Sequence, residues 1–143
     1  MNTNEEMLQF LYKNASMSAD TTKRVMDKTR DKRLKNELAS QIMGYRRFAG
    51  EATDGLRSHG LMPQDNSVMT KLMTNMGIEM NTMIDSTSSH IAELMINGTN
   101  MGIIKMHKHL NRNKSCDENT TEMCNRLLKF EKDNITSLER YLR

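Results

Sequence analysis

Three short spacings in this 143-residue chain place groups that hold metal one helical turn apart: Glu51-x-x-Asp54, His90-x-x-Glu93 and Glu131-x-x-Asn134. A carboxylate-bridged pair of metal ions inside a helical bundle takes a carboxylate from each of two helices and a Glu-x-x-His pair from each of two others, all turned inward at one level. The carboxylates bridge and balance the cations, and each His sits one turn from its Glu so that both reach the same site. Neither Glu51 nor Glu131 is followed by that His, and the pair at His90 runs in reverse order. His90, Glu93 and Glu131 therefore form an atypical, partial set of metal candidates. On the expected helix lengths Glu93, Glu131 and Asp20 fall near mid-height, Glu51 lies toward the opposite end, and Met43, Gly44 and Tyr45 occupy the matching level of the second helix. The expectation is that no catalytic residue, cofactor or complete metal site exists, and that Glu51, Asp54, Glu93 and Glu131 are solvated helix-face carboxylates.

Other constellations carry less. His107 and His109 are two residues apart, which turns them to different faces of a helix; near a helix end, a surface position against the dipole is expected for them. Cys116 and Cys124 fit no metal spacing, and eight helical residues would separate them by about 12 Å, beyond disulfide reach. The triplets at Asn14, Asn97, Asn119 and Asn134 match a glycosylation pattern, but Asn, Ser and Thr are abundant enough here for chance matches. Basic and acidic residues number 21 and 18 and are well mixed, so the formal charge of +3 marks no nucleic-acid or anionic-lipid surface. Without a basic-apolar leader or an apolar stretch of membrane-spanning length, a soluble, cytoplasmic protein is expected.

The elements that position these residues are helical almost throughout. One Pro and seven Gly are too few for an all-β chain. Leu8, Leu11, Ala15, Ser18, Thr22 and Val25 recur at steps of three and four and predict a helix over about 4–28. Asp31 is a cap for a second helix over 32–59, with Leu34, Leu38, Ile42, Tyr45, Ala49, Ala52 and Leu56 inward and Gly60 and Pro63 after its end. A short crossover helix over about 67–77, a third long helix over 82–110 and a fourth over 117–142 complete one domain spanning 1–143. Met123, Leu127, Asn134, Leu138 and Tyr141 are the inward residues of the last. Gly98 and Gly102, one turn apart, predict close approach of a neighbouring helix, since a mid-helix glycine costs about 1 kcal/mol relative to alanine.

Two long helices, a connection long enough to return along the bundle and two more helices make an all-α, ferritin-like up-down-down-up four-helix bundle. The Lys28-to-Leu34 elbow, the Gly60-Leu61-Met62-Pro63 stop, the Ile91-Ala92-Glu93 and Asn97-to-Gly102 stretches and the closing run from Phe130 to Leu142 carry a family likeness. On these the chain resembles small bacterial ferritin-like bundle proteins of unassigned function, with some similarity to spore-coat-type bundles. The resemblance spans nearly the whole chain through a diffuse pattern and implies a bundle without an established activity.

Fifteen methionines make the chain methionine-rich. Met69, Met73, Met76, Met80 and Met83 recur at helical spacing, where Met fills irregular cores more often than it binds soft Cu(I). With Val68 and Leu72 this stripe is also the expected surface for a homodimer, as monomers rarely expose such patches. The functional expectation is a non-catalytic structural or interaction protein lacking a complete di-iron site. The alternative is a metal-binding ferritin-like protein using His90, Glu93 and Glu131.

Overall fold

The computed structural model describes residues 2–64 and 87–143. Among them are four α-helices and no strand: α1 (Thr3–Asp27), α2 (Lys32–Ser58), α3 (Ser88–Arg112) and α4 (Glu118–Glu139). The 67–77 crossover helix and the Met69, Met73, Met76, Met80 and Met83 stripe lie outside the described residues.

Each helix starts where a side chain satisfies backbone N–H groups that the first turn leaves free. Asn2 and Glu5 form a reciprocal capping box at α1. The Asp31 carboxylate accepts from the Leu34 N–H at α2, and Asp117 accepts from the Thr120 N–H at α4. The third helix begins at Ser88, where Thr87 is extended and its hydroxyl accepts from the His90 N–H; positions 82–86 of the range expected for it lie outside the described residues. Gly60, with φ of +72°, takes the chain out of α2 in a left-handed conformation that suits a residue without Cβ.

α1 and α2 pair along most of their length, as do α3 and α4, each pair joined by a short connection. Contacts across the bundle fix which ends meet. Asn4 at the start of α1 both donates to the Asp117 carboxylate at 2.9 Å and accepts from the Asp117 N–H at 2.7 Å. Gln9 holds the Met62 carbonyl and the Gln64 N–H just beyond α2. One end therefore gathers the start of α1, the exit of α2 and the α3–α4 connection. At the other end Val25 and Leu34 pack in one cluster with Ile91 and Leu138.

Among the described residues the core has two apolar clusters. Met7, Leu11, Leu56, Met106 and Leu127 belong to one; Val25, Leu34, Leu38, Ile91 and Leu138 belong to the other. Between Leu128 and Leu138 the inward stripe of α4 is Glu131 and Asn134, and α2 and α3 bring Gln41 and Thr99 to the same gap. A polar layer thus crosses the middle of the bundle.

Gly44 lets α2 and α4 approach: a Cβ there would run into the Phe130 ring. That ring cannot swing away freely, because it stacks on Tyr45 and is tilted against Phe48. Gly50, exposed on the same helix, has nothing within 4 Å of its missing Cβ. Chemical denaturation should separate the two. Gly50→Ala is expected to stabilise by about 0.5–1 kcal/mol through helix propensity, whereas Gly44→Ala should destabilise by about 1–3 kcal/mol through overpacking.

Candidate functional site

The polar layer is built around one carboxyl group. Glu131 follows Leu127 by four residues and precedes Leu138 by seven, so helical periodicity puts it on the same inward face. Its side chain is 0% exposed. This corrects the expectation of a solvated carboxylate. The Tyr45 hydroxyl donates to Glu131 Oε2 at 3.1 Å, and Asn14 Nδ2 donates to Oε1 at 3.3 Å. Asn134 and Thr99 flank the Tyr45 hydroxyl, although Asn134 Nδ2 makes no well-formed hydrogen bond.

The third helix contributes space to this centre. A Cβ on Gly102 would stand 3.1 Å from Glu131 Oε2 and 3.2 Å from Asn14 Oδ1. The close approach expected at this glycine is to a buried carboxyl and an amide, which would have to give by a few tenths of an ångström to admit a Cβ. Beside the centre, between α1 and α3, a cavity of about 30 Å³ lined by Met17, Thr22, Met95, Gly98 and Thr99 reaches Tyr45. That is enough for a water or two.

Burial sets the charge. Loss of solvation raises the Glu131 carboxyl from its ordinary 4.5 to about 7, against the opposing pull of the Tyr45 and Asn14 hydrogen bonds. Burial, then the nearby Glu131 charge, also drives the Tyr45 phenol far above its usual value. Near neutral pH the centre holds an exchangeable proton on Glu131 and a phenol that stays protonated. Asn14 carries both a carbonyl and an amide group, so it can serve either state of the acid.

The three metal candidates do not meet. Glu93 is exposed and His90 is half-buried in the first turn of α3. Glu93 precedes Gly102, the α3 residue facing Glu131, by nine positions, or roughly 13 Å along the axis. The shared mid-height expected for Glu93 and Glu131 is therefore corrected: α3 meets Glu131 a good two turns further on. Asp20 and Asp54 are exposed, and Glu51 is held in a forked pair by Arg126 at 2.8 Å on the surface. Among the described residues, no three His, Cys, Asp or Glu side chains stand where they could hold a metal ion together. A single carboxyl facing a phenol, two amides and a glycine does not fit a bridged pair of cations.

His109 departs from its expected surface role. Its ring stacks on Phe10 at 3.8 Å, and burial lowers its pKa. His107 is exposed. Cys124 is fully buried, which pushes its thiol up to about 12, and both cysteines are free. No helix among the described residues is long and apolar enough to cross a membrane.

No protein-family model, curated protein or solved structure matches this chain.

Linkage between proton binding and folding gives the first test of this centre. Folded Glu131 binds its proton more tightly than the unfolded chain does, so its contribution is fully present below pH 4.5 and is lost as pH rises through about 7. Glu131→Gln keeps the shape and removes the titration. The stability of the variant relative to the parent should rise by up to about 3 kcal/mol between pH 4.5 and 8, measured by urea unfolding at each pH. A flat difference would show that Glu131 does not titrate in this range. Tyr45→Phe removes one donor to the carboxylate and should raise the Glu131 pKa further. It should also destabilise by about 1–3 kcal/mol, read from the carboxyl carbon resonance and from melting.

Proposed function

We propose that this chain is a ferritin-like bundle, with helices running up, down, down and up, that acts as a non-catalytic structural or interaction protein of the cytoplasm. The helix order is supported by which ends meet. Asn4 pairs with Asp117 at one end, and Val25 and Leu34 cluster with Ile91 and Leu138 at the other. The end of α2 and the start of α3 thus lie at opposite ends of the bundle.

The observation that carries the functional reading is the identity of the interior. Where a di-metal bundle places its bridging carboxylates, the described residues offer one, Glu131, which is half-protonated near pH 7, held by Tyr45 and Asn14 and walled by Gly102. A carboxyl that holds its proton up to about pH 7 and whose oxygens are engaged is a weaker ligand, because metal binding needs the deprotonated form. The group serves the fold: a buried polar layer fixes how four amphipathic helices register, since any other register leaves those groups unpaired.

Self-association through Met69, Met73, Met76 and Met80 is part of this proposal. It is tested by light scattering of the purified chain, with a dimer expected and Met73→Lys with Met76→Lys shifting it to monomer. Elemental analysis of protein prepared without chelator, followed by melting with added Fe(II), Mn(II) or Zn(II), tests the interior. Less than a tenth of an equivalent of bound metal and an unchanged melting temperature are expected. One or two equivalents, released by Glu131→Gln, would overturn the reading in favour of a partial metal site.

A further inference from the structure

Opposite the end where Asn4 meets Asp117, the first turn of α2, the first turn of α3 and the exit of α4 border a pocket of about 690 Å³. This falls within the size range of small-molecule sites. Three guanidinium groups stand in its wall: Arg33 comes from the start of α2, and Arg140 and Arg143 from the exit of α4. They are far apart in sequence, and the packing of Leu34 and Leu138 in one cluster brings the two helix ends together. Ser89 holds the chain beyond α4 in place. Its hydroxyl accepts from the Arg143 N–H at 2.9 Å and donates to the Arg143 main-chain oxygen at 3.2 Å.

The charge in this wall is not balanced by its own side chains. Among the described residues, none of the three arginines has an acidic side chain within 4.0 Å. Elsewhere on the surface Lys23 pairs with Asp27, Lys129 with Asp133 and Arg126 with Glu51. The one acidic side chain lining the pocket, Asp31, is committed to α2, where its Oδ1 accepts from the Leu34 N–H at 2.9 Å. Three positive side chains therefore face one negative. A concave surface lined by one sign of charge gathers ions of the other. Each guanidinium is a planar fork that fits two phosphate oxygens at once, so three forks match two linked phosphates better than one.

We propose that this end pocket binds a diphosphate group, either free or carried by a nucleotide, through Arg33, Arg140 and Arg143. Arg33 reaches it from the α2 side, and Arg140 and Arg143 from the α4 side. All three side chains are exposed, so the ligand enters from solvent without opening the core. Binding neutralises the repulsion among the three guanidinium groups and ties the start of α2 to the exit of α4.

The test is calorimetric titration of the full chain at low ionic strength, with pyrophosphate, adenosine diphosphate and sulfate as probes. One equivalent of pyrophosphate or adenosine diphosphate is expected to bind roughly tenfold or more tightly than sulfate, and more weakly as salt is added. Whichever of the two binds more tightly identifies the source of the diphosphate, and either result supports the proposal. Arg33→Gln and Arg140→Gln should each weaken binding roughly fivefold or more, and the double variant should abolish it. Arg46→Gln removes an equally exposed arginine of α2 outside this pocket and should leave binding unchanged. Melting of each variant without ligand should match the parent, because every substituted side chain is exposed. The proposal is overturned if neither diphosphate binds, or if neither binds more tightly than sulfate. It is also overturned if binding survives in the folded Arg33→Gln, Arg140→Gln double variant, or if Arg46→Gln weakens binding as much as the pocket variants do.

Discussion

A carboxyl group sealed at the centre of four helices constrains everything packed around it. Glu131 cannot be wetted, so its oxygens must be met by protein donors, and those donors come from opposite sides, Asn14 on α1 and Tyr45 on α2. Meeting them sets the height at which α4 stands against the first hairpin. The same need shapes α3, which passes so close that a Cβ at position 102 would press on Glu131 and Asn14. Apolar clusters above and below supply most of the burial, but they tolerate sliding better than a hydrogen-bonded layer does.

The polar layer also explains the aromatic arrangement on the α2–α4 side. Tyr45 must reach inward to Glu131, and its ring then forms a platform on which Phe130 stacks. Phe130 in turn occupies the space left by Gly44 and leans on Phe48. A chain of contacts thus links the buried acid to the outer surface. Across that seam the packing is thinner than within either hairpin.

Much of the helical plan was legible from periodicity, because apolar steps of three and four report which face of a helix is buried. Leu34, Leu38, Ile42, Tyr45, Ala52 and Leu56 are all buried on α2, and the Asp31 cap is present. The described part of α3 opens at a cap, Thr87, whose extended backbone and hydroxyl fix the first turn. At the centre the reading failed for a chemical reason. Glu131 continues the stripe of Leu127, Asn134 and Leu138, yet an acid is so seldom buried that residue type outweighed position. Its donors Asn14 and Tyr45 lie 117 and 86 residues away, so no local spacing could announce them. The position of Gly102, one turn after Gly98, was the available clue that a neighbour comes close.

The Asn4–Asp117 pair has a kinetic meaning. Each residue is both donor and acceptor to the other, and 113 positions of chain separate them. Closing so long a loop sacrifices chain freedom before any contact compensates it. The α1–α2 arm needs only a four-residue elbow and can assemble first. The clasp at the start of α1 then belongs to the late step in which preformed arms dock, so weakening it should hasten opening of the native bundle far more than it slows assembly.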